Sequence, residues 1–494
     1  MRAISWCVIA GLTLAGCGVS PDAVDSRAPV TDGQEVTQQA CPPGTASRVK
    51  VITPSGTGPV IISGRASGDE QLVSAQGKLF FAAALSNGPT VLWRTDGTPA
   101  GTSPVKVFFS GVQSPLELYG LVAVGNQIFF QIDTPGFGQE LWVSDGTEPG
   151  TRLVKDLTPG PASTFLTHVN AVNGRLVFIR EVQSQFEVWR SDGTAAGTVK
   201  VATLPQGSQL SYASLKVGNA LHLFLSSASQ GTSLWRTDGT TAGTSLVKKL
   251  DADAIHIDRL GHAGNLGLFL VDDGPNHEVW KTDGTPAGTV RLESFGRPVS
   301  LLGALGSFVY VATDDAATNQ FRVERVSLSG GGKTFITGLP NRYASDPDAT
   351  PYLQRTTASG GKLYFTVAIS SLGPAPRDVE LWVTDGTATG TRLLHHPLSL
   401  GDEYISPLFA TGAGPVLFAG SVDGAYVEPW FTQGTPGTTG LLADIGPGSY
   451  GSNPDGFARL GSRVLFFAGD DTGDYQLWSA PASFSCPPGP VAPK

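Results

Sequence analysis

The sequence predicts an all-β chain closed into a single β-propeller of four-stranded blades, about nine of them, with eight as the alternative. Three observations predict it. The phrase Glu140-Leu141-Trp142-Val143-Ser144-Asp145-Gly146-Thr147-Glu148-Pro149-Gly150-Thr151 recurs along most of the chain. Tryptophan marks the recurrence: Trp93, Trp142, Trp189, Trp235, Trp280, Trp382, Trp430 and Trp478 hold one slot, and only Trp6 lies outside it. Their spacings are 49, 47, 46, 45, 102, 48 and 48 residues, and the gap of 102 implies an eroded ninth copy between Trp280 and Trp382. Such a period is that of propeller blades and solenoid repeats. The composition agrees, since 63 Gly, 35 Pro and only 15% charged residues favour short strands and tight turns over helices. Neighbouring repeats share a continuous core, so the 494 residues make one repeat domain, 41–489, and not the several that length alone suggests.

One unit parses as four strands: Leu121–Val124, Gln127–Ile132 after the Gly125-Asn126 turn, Glu140–Ser144, and Thr151–Asp156. Gly-Asn pairs suit hairpins because both residues tolerate positive φ. The strands are apolar on both faces, as sheets sandwiched between neighbours must be, and stacking blades around an axis buries both faces at once. In the third-to-fourth turn, Asp145 is placed to accept backbone N–H bonds, Gly146 permits positive φ and Thr147 closes the turn. The same reading holds for Asp96, Asp192, Asp238, Asp283 and Asp385. A row of ligand sites is the functional alternative, but one carboxylate per turn makes no ligand set, and no metal site is assigned. The tryptophans are expected to fill the space between blades.

These residues resemble the bacterial ELWxxDGT-repeat family, over about residues 71–480. Six copies keep Trp-x-[Ser/Thr]-Asp-Gly-Thr, at Trp93, Trp142, Trp189, Trp235, Trp280 and Trp382. The resemblance implies secreted or lipid-anchored repeat proteins and carries no activity. Two copies depart from it. The sixth reads Gln320-Phe321-Arg322-Val323-Glu324, with Arg322 taken as standing at the tryptophan slot. The eighth, Glu428-Pro429-Trp430-Phe431-Thr432-Gln433-Gly434-Thr435, has a proline in its third strand and Gln433 for Asp, which predicts an irregular blade.

At the N-terminus, Arg2 and the apolar run Ile4–Leu14 precede Leu14-Ala15-Gly16-Cys17, which resembles the lipobox of a bacterial lipoprotein signal. The run is too short to span a bilayer and ends in small residues, as a cleaved leader does. By that resemblance residues 1–16 are a signal peptide, Cys17 is the lipid-bearing mature N-terminus, and Gly18 after it favours the outer membrane. Residues 17–40 are polar and lack aromatics, a lipidated flexible tether, and 490–494 form a tail.

The last copy lacks a fourth strand, and Arg48-Val49-Lys50-Val51-Ile52-Thr53-Pro54 reads like Arg152–Pro159, so the N-terminal strand completes the final blade. With Cys17 lipidated, Cys41 and Cys486 remain, in the twin segments Cys41-Pro42-Pro43-Gly44 and Cys486-Pro487-Pro488-Gly489. An even pair in an oxidising compartment predicts a disulfide across the closure.

The third-to-fourth turns are near copies whereas the second-to-third loops vary, which makes the variable face the candidate binding face. Asp272 and Asp273 in one such loop, and Asp470, Asp471 and Asp474 in another, are the candidate ligand-binding residues, with Ca²⁺ conceivable at the latter three. Cofactors are otherwise none. The net charge of −9 and the scattered Lys and Arg exclude a nucleic-acid partner. The seven His show no metal spacing, and no Gly-x-Ser-x-Gly elbow or phosphate loop occurs. No catalytic residue is assigned. The expectation is an envelope binding or scaffold protein presenting one face to a protein or polysaccharide, more a non-enzyme than an enzyme. A polysaccharide-acting propeller hydrolase or lyase is the alternative, since acids and arginines can converge on the axis without a linear motif.

Overall fold

The computed structural model describes residues 41–42, 44–52, 60–62, 71–85, 88–109, 118–227, 231–250, 256–272, 274, 276–373, 375–399, 408–422, 426–446, 451–471 and 474–486. The leader, Cys17, the tether, Asp273 and the tail lie outside the described residues. All described residues belong to one compact unit, 37–494.

Within that unit nine antiparallel sheets follow one another along the chain, so all nine copies are used, the eroded one included. The second blade is typical: Leu118–Val124 is innermost, then Gln127–Thr134, Gly138–Ser144 and, outermost, Arg152–Lys155. The first blade differs in that Val60–Ile62 and Val73–Ala75 share the inner position, both pairing with Lys78–Leu85. The second strands are apolar on both faces; Leu79, Phe80, Phe81 and Ala82 are fully buried in sequence. Nine apolar layers, each built from two adjacent blades, form the core. One of them packs Val124, Phe129 and Leu141 of the second blade on Leu166, Leu176 and Phe178 of the third.

The ring closes as the sequence predicts. Ser47–Lys50 pairs with Tyr475–Pro481 as the outer strand of the ninth blade. The register places Arg48, not Val49, opposite Trp478, where Leu153 stands opposite Trp142. Cys41 and Cys486 form the disulfide, with Cα atoms 4.6 Å apart across 445 residues of chain.

The repeated turn is a closed network of short-range hydrogen bonds. Asp145 Oδ1 accepts from Thr147 N (2.9 Å) and Thr147 Oγ1 (2.7 Å). Gly146 N donates to Ser144 Oγ, and the Ser144 and Thr151 hydroxyls meet at 2.7 Å. The same bonds recur at Asp96, Asp192, Asp238, Asp283 and Asp385. The glycine after each Asp has φ between +82° and +91°, which a side chain rarely adopts. The second glycine of the phrase has a different reason: a Cβ on Gly101, Gly150, Gly197, Gly243, Gly288 or Gly390 would lie 1.9 to 2.1 Å from its Asp carboxylate. The hydroxyl of the following threonine, above all, holds Asp96, Asp145, Asp192, Asp283 and Asp385 below the usual carboxylate range. These carboxylates are turn builders.

Each tryptophan does lie in an inter-blade layer, but only Trp430, at 1% exposure, is fully buried. Trp93, Trp142, Trp189, Trp235 and Trp478 are half-buried, contrary to a simple core role. Trp189, Trp280 and Trp382 donate their indole N–H to Glu187, Glu278 and Glu380 two residues before them. In the sixth blade the tryptophan slot belongs to Glu324, paired with Val311 as Trp382 pairs with Phe365, and not to Arg322. Its turn substitutes Ser327 and Ser329, whose hydroxyls meet at 2.7 Å, for Asp and Thr. The eighth blade is not irregular at its proline, since Pro429 keeps an unbroken register opposite Ala419; what is irregular is its two-residue inner strand, Phe409–Ala410, and a 3-10 turn at Pro436–Thr438.

Candidate functional site

In each blade the inner strand starts on the face that carries the variable second-to-third loops. Exposed aromatic side chains on loops and strand starts of that face include Phe109, Phe137, Phe165, Tyr212 and Tyr352. Phe165 is 70% exposed and Tyr212 fully so, and these two rings border one cavity. Large exposed rings at a shared cavity mark a recognition surface more than scaffold.

The inner strands of the first four blades line a cavity of about 1090 Å³ beneath these rings. Tyr119, Phe165 and Tyr212 supply its aromatic wall, while Ser74, Gln139, Thr167, Asn170 and Ser214 supply neutral polar groups. Among the described residues Lys216 is the one cation in its lining, His168 lines it as well, and no Asp or Glu does. Gln131 is engaged in holding the third blade, donating to Leu166 O and accepting from Leu166 N.

The inner strands reach this cavity with bulges near their upper ends, between Tyr119 and Val122, Thr167 and Asn170, and Asp455 and Ala458. At each of these three bulges one residue sits at positive φ, as in bulges of the glycine type. In the second and ninth blades that residue is a glycine, Gly120 (φ 62°) and Gly456 (φ 66°); in the third it is His168 (φ 51°). A histidine held in a conformation that favours glycine is strained by ~1 kcal/mol or more, and such strain concentrates at functional sites. His168 Nε2 donates to Ser211 O at 2.8 Å, which leaves Nδ1, 3.1 Å from Thr167 Oγ1, as the basic nitrogen. Burial holds its pKa below the usual histidine range, so the ring is neutral at pH 7. Sequence reading counted His168 among seven unremarkable histidines. The signal it passed over was the alignment of Thr167-His168 with Tyr119-Gly120.

The carboxylates expected to bind a ligand are placed elsewhere. Asp470 Oδ2 is paired with Arg48 at 3.0 Å and helps close the ninth blade. Asp474 is buried beneath it, and Asp471 is exposed. Asp272 closes its own loop by accepting from Gly274 N and lies 3.4 Å from His277. Among the described residues no three His, Cys, Asp or Glu side chains are grouped to hold a cation. Off the channel, Asp378 and Glu380 form a buried carboxylate pair under Arg342 and His396. Burial, against the bond from Trp382, raises the Glu380 pKa.

Glu140 was read only as a letter of the repeat, yet it is fully buried and joins two blades. It accepts from Leu157 N (3.1 Å), Thr158 N (3.0 Å) and Thr164 Oγ1, all in the connection to the third blade. Glu428 does the same with Ile445 N, Gly446 N and Ser452 Oγ.

Comparison with protein-family profiles and with curated proteins found no match. Among solved structures the chain is similar to prolyl oligopeptidase B from Galerina marginata (12% identity, 67% of this chain, 48% of that one, TM-score 0.36). It is also similar to oligopeptidase B from Leishmania major (10%, 65% and 47%, TM-score 0.38) and to an oligogalacturonate lyase in complex with manganese (12%, 62% and 85%, TM-score 0.36). The chain spans about half the length of the two peptidases. What is shared at these values is propeller architecture. The matched proteins are peptidases and a lyase, so the expectation that this chain is more a non-enzyme than an enzyme is withdrawn. The lack of a linear catalytic motif carries no weight in such an architecture.

Proposed function

We propose that the chain is a lipid-anchored envelope protein of the ELWxxDGT-repeat kind that binds an extracellular polysaccharide at the channel mouth and acts on it there. The observation that carries this reading is the aromatic wall of Tyr119, Phe165 and Tyr212 around a cavity whose remaining groups are mostly small, apolar or neutral polar. Flat rings stack on the apolar faces of sugar units, and amides and hydroxyls exchange hydrogen bonds with sugar hydroxyls. A cavity of about 1090 Å³ suits several sugar units better than one. A neutral His168 in the lining suits the proton abstraction of a lyase. The lipobox at Leu14–Cys17 supports the anchor.

The test is to incubate the soluble chain, residues 18–494, with acidic and neutral envelope polysaccharides and to measure retention and released fragments together. Retention with unsaturated oligosaccharides, lost in Tyr212→Ala and His168→Gly, is expected. Retention without fragments would remove the catalytic half of the reading, and no retention would remove all of it.

A further inference from the structure

The opposite face, which carries the repeated turns, bears the carboxylates of Asp96, Asp145, Asp192, Asp238, Asp283 and Asp385; the sixth blade has Ser327 in that place, and the two adjacent blades eight and nine lack the carboxylate as well. In the eighth blade Gln433 replaces the Asp, and in the ninth the turn is split between Pro481-Ala482-Ser483 and the N-terminal strand. Two cavities open there, of about 260 and 310 Å³, and they share Ala413 and Ser483. Lys362 lines the first, Arg459 and Arg463 the second, and no Asp or Glu among the described residues lines either. None of the three cations makes an ion pair among the described residues. A chain of net charge −9 thus has, in this sector of its turn face, two adjoining cavities whose described charged residues are all basic.

The position of that sector says what it meets. Cys41, where the tether joins the propeller, donates its N–H to Leu441 O of the eighth blade and is bonded to Cys486 of the ninth. The tether therefore joins the ring at the basic sector. Residues 18–40 span at most ~80 Å when extended, so an anchored chain stays beside its membrane.

We propose that this sector, through Lys362, Arg459 and Arg463, docks the propeller on the phosphate headgroups of an anionic lipid surface, leaving the channel mouth facing away from the membrane. The proposal rests on the anchor reading. Each basic side chain at such a surface changes the docking equilibrium about fivefold.

The test uses the full lipidated chain on vesicles of phosphatidylcholine with and without phosphatidylglycerol, read by hydrogen exchange of peptides covering 459–463 and 481–484. Slower exchange on the phosphatidylglycerol vesicles is expected. It should weaken about fivefold in Lys362→Gln and about fivefold again when Arg459→Gln is added, and vanish at high salt. Equal exchange on both vesicles would overturn the proposal, as would the same protection from inorganic phosphate alone. Mass spectrometry finding no lipid on Cys17 would overturn the anchor reading itself. The vesicle comparison, run then on the unlipidated chain, still decides the surface.

Discussion

Replacing Gly150 by alanine tests the turn most directly. A Cβ there would lie 2.0 Å from Asp145 Oδ1, so the carboxylate must leave and release Thr147 N and Thr147 Oγ1. Hydrogen bonds to a charged group contribute about 1.5 to 3 kcal/mol each, and an exposed carboxylate recovers part of that from water; the expected net cost is about 2 kcal/mol. For a domain of this size that lowers Tm by about 2 °C, measurable by calorimetry. Asp145→Ala should cost about as much alone, and adding Gly150→Ala to it should cost little more, because no carboxylate is left to collide with. The pH dependence has a definite sign. Asp145 titrates below its ordinary range in the fold, so its contribution is present above about pH 4 and is lost as the pH falls through the folded value. The difference between wild type and Gly150→Ala should shrink in acid. A Gly150→Ala cost that is the same with and without the Asp145 carboxylate would refute the reasoning.

Glu140→Ala strands two backbone donors and the Thr164 hydroxyl in a buried site, with an expected loss of about 3 kcal/mol or more, and hydrogen exchange should rise first at Leu157 and Thr158. His168→Gly removes strain and should hold or raise Tm while weakening polysaccharide retention; a fall in both would make His168 structural. Trp430→Ala should cost about 3 to 5 kcal/mol and Trp189→Ala clearly less, by denaturant unfolding, following their burial. Reducing Cys41–Cys486 opens a 445-residue loop and should cost no more than about 5 kcal/mol, seen as a lower Tm with reductant.

The period of Trp93 to Trp478, the Asp-Gly-Thr turns and the twin Cys-Pro-Pro-Gly segments determined the architecture and its closure from the sequence alone. These are short-range facts: a turn closes through residues two to seven apart, and a repeat needs only an identical neighbour to bury its faces. The irregularity expected at Pro429 did not follow, because the third strand keeps its pairing there. The other departure was a matter of register. Arg322 was taken for the tryptophan slot that Glu324 occupies because the second-to-third loop differs in length from blade to blade, so only the pairing with the second strand gives the register.

The candidate site was not legible, because what defines it joins residues from blades far apart in the chain. His168 is unusual only where its strand bulges, and Tyr119, Phe165 and Tyr212 form one wall only after three blades turn about the axis. Asp470 looked like a ligand in its loop until the ring closed and Arg48 reached it across 422 residues. Glu140 looked like any other letter of the repeat until the next blade's connection folded over it. The sequence determined what each blade is, through local hydrogen bonding and apolar patterning. Only the tertiary structure decided which groups face the channel, which are consumed in holding the ring, and which are left to meet a ligand.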